Sequence, residues 1–152
     1  MRCTLFDQFI SLHLRQDKKS MNMNLPDFLR KGNKEDLSVF DRDGYTAVEE
    51  IFQDSDMDTR WLKIVLSNDC SICVDEDQQF VLMDGEEELL IRAGEISVGM
   101  KLPFCQEKFP NPKAVIDNLS VMVVLDIPPK EGVELMTESQ SYVAGGFLLA
   151  SI

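Results

Sequence analysis

An all-β fold is predicted for this chain of 152 residues. Three features predict it: short apolar runs that alternate with polar residues, turn residues recurring every ~8 to 12 positions, and very little helical spacing. Cys3 to Leu14 has apolar residues at Leu5, Phe9, Ile10, Leu12 and Leu14; the last three alternate as in a half-buried strand, with a helix as the rival. Lys18, Lys19 and Ser20 read as a turn. Leu25-Pro26-Asp27-Phe28-Leu29-Arg30 reads as one short helix near the N-terminus, opened by Pro26 at its first position and closing near Gly32.

From there the spacing is that of hairpins. Leu37 to Phe40 and Tyr45 to Phe52 flank the Asp41-Arg42-Asp43-Gly44 turn, and Asp54 to Asp58 is an acidic loop. Trp61, Lys63 and Val65 alternate with Leu62, Ile64 and Leu66, and Ser67-Asn68-Asp69 turns the chain into Cys70 to Val74. Phe80 to Met83 leads through Asp84-Gly85 into Glu88 to Ile91. Ala93 to Leu102 is a glycine-punctuated bend, and Pro103, Pro110 and Pro112 mark a loop. Val115 to Ile127 is β-branched and apolar, the best candidate for a buried strand, and Pro128-Pro129 stops it. Val133 to Met136 and Tyr142 to Leu149 supply the last two strands, with Gly145-Gly146 as a kink or bulge in the second.

One domain over residues 1–152 is expected at this length, which is enough to bury a core. A hydrophobic share of 44% beside 28% charged residues is ordinary for a folded protein. The net charge of −12, from 27 acidic and 15 basic residues, repels phosphate backbones, so nucleic acid is not an expected partner. No run approaches the ~20 apolar residues that span a bilayer, so no membrane partner is expected. Met1-Arg2-Cys3, followed by Asp7, does not read as a secretory signal, and the four cysteines are expected to stay reduced.

Three segments in order resemble the blocks of an intein, a protein of the self-splicing hedgehog/intein (Hint) fold. Cys3 to Ile10 resembles the opening, a nucleophilic cysteine with an acidic residue, Asp7, four positions on. Trp61 to Phe80 resembles the strand, turn and strand that lead to the family's Thr-x-x-His box, and Ala93 to Leu102 is similar to the segment beyond it. Ser141 to Ile152 resembles the terminal block, a strand that ends in a His-Asn pair and the first residue of the downstream host segment. The resemblance implies a horseshoe of short strands with pseudo-twofold symmetry, its ends meeting at the centre. The length suits a mini-intein without a homing-endonuclease insertion.

The resemblance also implies a chemistry that these residues do not supply. The family's opening thiol attacks the preceding carbonyl, and its penultimate Asn cyclises; both steps need proton carriers. Here the box Thr falls on Asp75 and the box His on Gln78, whose amide donates a hydrogen bond but carries no proton near neutral pH. The His of the penultimate block falls on Gln140, the terminal His on Ala150 and the Asn on Ser151, and Ile152 has no nucleophilic side chain. Of the catalytic set only Cys3 is kept, and Met1-Arg2 and Ile152 would be the only flanking residues. The expectation is a degenerate, splicing-incompetent Hint domain, not an enzyme, that works as a protein-protein interaction or structural module. Since inteins are common in phage replication and packaging genes, the resemblance points to a phage virion or assembly component. Head, neck, tail or baseplate proteins would be its partners, and the virion or host cytoplasm its location. The rivals are residual Cys3-dependent autoprocessing, by N-terminal cleavage or thiol transfer, and an engineered splicing-dead intein.

Other constellations read blandly. Cys70-x-x-Cys73 has the spacing of half a zinc site that Cys3 and Cys105 could complete, but on a strand the two thiols face opposite ways, so no metal and no cofactor is expected. His13, the single histidine, reads as a surface or satisfied strand residue. Asp41, Asp43 and Gly44 echo a calcium loop, but Phe52 stands where its last carboxylate belongs. The runs Asp75-Glu76-Asp77 and Glu86-Glu87-Glu88 are solvated turns in the plain reading and a docking surface for a basic partner in the sharper one.

Overall fold

The computed structural model describes residues 11–16, 19–24, 37–54, 58–108, 111–129 and 132–151. Among them thirteen strands follow one another: β1 (Ser11–Gln16), β2 (Lys19–Asn24), β3 (Ser38–Asp41), β4 (Gly44–Asp54), β5 (Trp61–Leu66), β6 (Ser71–Asp75), β7 (Gln79–Asp84), β8 (Glu87–Arg92), β9 (Lys101–Lys108), β10 (Asn111–Ile127), β11 (Gly132–Thr137), β12 (Ser141–Ala144) and β13 (Phe147–Ala150). The only described helix is a single 3-10 turn at Ala93–Glu95. Cys3 and the helix expected at Leu25 to Arg30 lie outside the described residues.

Among the described residues every pairing is antiparallel. A five-stranded sheet runs β11-β4-β3-β1-β2, and an eight-stranded one runs β6-β5-β10-β9-β13-β7-β8 with β12 paired to β13 off that path. The expected alternation holds in β5, where Leu62, Ile64 and Leu66 are fully buried while Lys63 and Val65 are half-buried.

Four sequence expectations need correction. Val115 to Ile127 lies in β10 as a strand, but not a buried one: of its apolar residues only Val121 is buried, while Met122, Val123 and Leu125 are exposed, because β-branching reports extended backbone and not which face is covered. Lys19 and Ser20 belong to a strand, not a turn, since the β1–β2 ladder runs up to the Gln16–Lys19 pair. Met21 and Met23 alternate with polar residues there but lack the β-branching that flags a strand. Pro103 and Pro112 do not mark a loop: Pro103 lies in β9 opposite Asn118, and Pro112 lies in β10. The next-but-one amide, of Cys105, points to Gly146 O on the β13 side at 2.8 Å. The missing N–H of Pro103 therefore faces the same side, where β13 meets β9 only at Phe147–Phe104, and the β9–β10 ladder loses nothing. Finally, Gly145-Gly146 is not a bulge but the two-residue turn of the β12–β13 hairpin, closed by Ala144 opposite Phe147. Its φ values of 57° and 91° lie in the left-handed region that favours glycine.

The core centres on β13. The Phe147 ring meets Phe80 of β7 at 6.3 Å and Phe104 of β9 at 6.2 Å, both edge to face. Each buried ring contributes roughly 1.5 to 3 kcal/mol by burial and about 1 kcal/mol more by ring geometry. The sheets are sewn together where the β11–β12 turn lies on the β3–β4 hairpin. The buried carboxylate of Asp41 accepts from Ser139 Oγ at 2.7 Å and Ser141 Oγ at 2.9 Å, and Ser139 N donates to Thr46 Oγ1 at 2.9 Å.

Candidate functional site

The turn between β6 and β7 is shaped by its own side chain. Asp75 is buried, and its Oδ1 accepts from Asp77 N at 3.0 Å, while Gln78 N donates to Asp75 O at 3.2 Å. This local carboxylate turn holds the backbone so that Gln78 points inward. Of the acidic trio read as a possible docking surface, Asp75 is thus corrected to a structural residue. Glu76 and Asp77 are half-buried, and Asp77 pairs with Arg92.

Gln78 is 0% exposed and reaches the last strand. Its Nε2 donates to Gln79 O at 2.8 Å and to Ala150 O at 3.4 Å. Its Oε1 has no partner among the described residues. A buried acceptor left so costs about 1 to 3 kcal/mol.

The facing wall comes from the β11–β12 turn. Gln140 sits at φ 69°, and its carbonyl takes the Ser151 N–H at 3.0 Å. Thr137 Oγ1 donates to Ser141 O at 2.9 Å and lies 3.1 Å from Ser151 Oγ; Thr137 N donates to Ser151 Oγ at 3.4 Å. The end of β13 is thereby fixed between Gln78 and Thr137. Gln140, Ala150 and Ser151 line a cleft of about 400 Å3 together with Arg42, Gln79 and Ser139. Five of the candidate residues therefore meet at one junction: Asp75, Gln78, Gln140, Ala150 and Ser151. Glu86, Glu87 and Glu88 lie apart, at the start of β8; Glu88 alone reaches the cleft rim, where it pairs with Arg42.

Chemically, the junction offers amides and hydroxyls. His13 lies in β1 opposite Asn22, in the other sheet. Cys105 is buried, and its thiol is pushed up to about 12 by that burial and by the Asp41 carboxylate, against a smaller opposing effect of Arg42. It is an inert thiol at neutral pH. Cys73 is buried and Cys70 half-buried, and no group of three or more metal-ligating side chains occurs among the described residues. Sequence reasoning missed Thr137, Ser139 and Ser141, and it took Asp41 as a turn residue and a rejected echo of a calcium loop. A serine-threonine cluster just before an apolar strand is a weak signal, and nothing in it names its partner.

No protein-family model matches the sequence, and no curated protein matches it. Solved structures match by fold. The transcription factor IIB Mvu mini-intein is similar with a TM-score of 0.78 at 16% identity, over 97% of this chain and 99% of that one. An intein from a hyperthermophile is similar with a TM-score of 0.80 at 13% identity, over 97% of this chain and 99% of that one. The VidaL intein gives 0.75 at 12% identity, over 99% and 98%. The chain has the intein, or Hint, fold along nearly its whole length.

Proposed function

We propose that this chain is a Hint-fold domain that does not splice and that acts by binding another protein. The observation that carries the proposal is the chemistry at the junction of the Gln78 turn and the end of β13. Where the family's box has an imidazole, Gln78 brings an amide that donates to Gln79 O and Ala150 O, and an amide cannot take up and return a proton near neutral pH. Where the family has a cyclising Asn, Ser151 brings a hydroxyl with no carboxamide nitrogen to attack its own carbonyl, and that hydroxyl is already engaged with Thr137. The same contacts that would have to move in a reaction here pin the strand in place. Support for a protein partner is the net charge of −12 and, among the described residues, the unpaired outer edge of β8. The setting proposed for that partner is a phage particle, at its head, neck, tail or baseplate.

The test places the chain between two reporter proteins and follows the fusion by intact mass after purification and prolonged incubation with thiol. One species of full mass is expected. Joined reporters would overturn the proposal, and so would release of either reporter. Release of the upstream reporter that disappears in Cys3→Ala would replace it with Cys3-dependent cleavage.

A further inference from the structure

β8 is the outermost strand of the eight-stranded sheet, and among the described residues it pairs only with β7. The hairpin closes on a two-residue turn, Asp84 opposite Glu87, with Gly85 at φ +62° in the first central position, as a type II′ turn requires. The register runs without a break to the Gln79–Arg92 pair. In such a ladder, hydrogen-bonded and non-bonded pairs alternate from the turn, so Glu87, Leu89 and Ile91 bond inward to β7. The backbone N–H and C=O groups of Glu88, Leu90 and Arg92 therefore point outward, away from the sheet.

Of the devices that usually blunt a natural edge, β8 has no proline and no bulge, and its charge is confined to Glu87 and Glu88 at one end and Arg92 at the other, leaving Leu89, Leu90 and Ile91 between them. Its side chains are also available on both faces: Leu89 is 49% exposed and Leu90 59%. Glu88 and Leu90 stand on the face that lines the cleft beside Ala150 and Ser151. Among the described residues Glu86 and Glu87 are exposed and paired with no cation, whereas Glu88 holds Arg42, and the one cation on the strand, Arg92, is held by Asp77.

We infer that the outer edge of β8 docks an extended, basic segment of a protein partner by strand addition. The added strand takes the outward amides and carbonyls of Glu88 and Leu90. Its lysine or arginine side chains meet Glu86 and Glu87, and an apolar side chain beside Leu90 enters the cleft. Charge decides the occupant: a second copy of this chain would bring its own unpaired carboxylates and a further net charge of −12 to the same edge. This inference rests on the proposed binding role and names its site and partner chemistry.

The probe is a fluorescent octapeptide of alternating lysine and valine, titrated with the full chain and read by anisotropy. Saturable binding is expected. Leu90→Pro removes one outward donor and leaves the β7–β8 ladder whole, and Glu86→Lys with Glu87→Lys reverses the charge. Each weakens binding roughly fivefold or more, the loss of about one net hydrogen bond or charge pair. A peptide N-methylated at alternate residues makes the same test without touching the protein, should Leu90→Pro not fold. Overturning results are no binding by the unmodified chain, equal binding of the N-methylated peptide, which means attraction by charge alone, or self-association that Leu90→Pro abolishes, which makes a second copy the occupant. None of these touches the reporter fusion: an intact fusion with no peptide binding sinks only the β8 site, and a spliced fusion sinks the binding role whatever the peptide does.

Discussion

Gln78 is buried with half of its amide satisfied, and two carbonyl oxygens, of Gln79 and Ala150, face its nitrogen. Gln78→Glu would set a carboxylate against those oxygens, so burial and repulsion would both raise its folded pKa above the unfolded value near ~4.3. The folded state then holds its proton more tightly than the unfolded one, and the variant loses stability as pH rises from that value. A deficit of about 3 kcal/mol against the parent chain at pH 7, shrinking toward pH ~5, is the expected outcome of urea unfolding at the two pH values. An equal deficit at both would show that the group is solvated. Cys105 obeys the same sign at the alkaline end. Its thiol ionises at about 12 in the folded chain against 9.0 without the fold, because burial, and then Asp41, disfavours the thiolate. The Cys105 contribution to stability is constant below pH 9 and falls between there and pH 12, approaching roughly 1.4 kcal/mol per unit, and Cys105→Ala removes that part of the slope. Alkylation at pH 8 followed by peptide mapping should modify the half-buried Cys70 well before Cys105. Gln78 was legible in the sequence through the box it occupies in the resemblance. Asp41 was not legible as a seam residue, because its partner Ser139 stands 98 positions away and no spacing announces such a pair.

The hairpins carry the fold, and their glycines differ in what they tolerate. Gly146 is at φ +91°, and a Cβ built there would lie 2.2 Å from the Phe104 ring, which is locked against Phe147. Gly85, at φ +62°, has open space around it. Gly146→Ala therefore combines backbone strain with overpacking and is expected to cost about 3 kcal/mol or more, whereas Gly85→Ala costs about 1 kcal/mol for its backbone alone. Urea midpoints of the two variants give the comparison, and equal losses would show that the Phe104 ring yields. Elements were legible where period and turn chemistry agreed: β5 from its alternation, and the β3–β4 and β7–β8 hairpins from Asp-Gly turns. They were obscured where one residue carries two meanings. Proline signals a loop until the neighbouring strand is known, and Gly-Gly signals a bulge until the register shows a turn, so β9 and the β12–β13 hairpin needed the tertiary pairing to be read.

At the scale of the whole molecule, the C-terminal strand is not peripheral. β13 lies between β9 and β7 in the eight-stranded order and places Phe147, Leu148 and Leu149 in the core. The sheet cannot close until the last residues are in place, and its ladders join segments far apart in sequence, β4 with β11 and β5 with β10. Folding on a timescale of roughly milliseconds to seconds follows from such non-local pairing. Stability should be divided equally unevenly. Ser151→Ala removes one hydroxyl from the Thr137 contact at the chain end and costs about 1 kcal/mol. Ending the chain after Ala144 removes three large buried side chains worth roughly 1.5 to 3 kcal/mol each and opens the edges of both β7 and β9. That loss is comparable with the entire margin of about 5 to 15 kcal/mol that holds a domain folded. The truncated chain is expected to lose the near-ultraviolet circular dichroism of Trp61, which is buried in β5, and to show no cooperative urea transition. Retention of both signals would mean that β5, β10 and β9 form a core without the strand on which the junction is built.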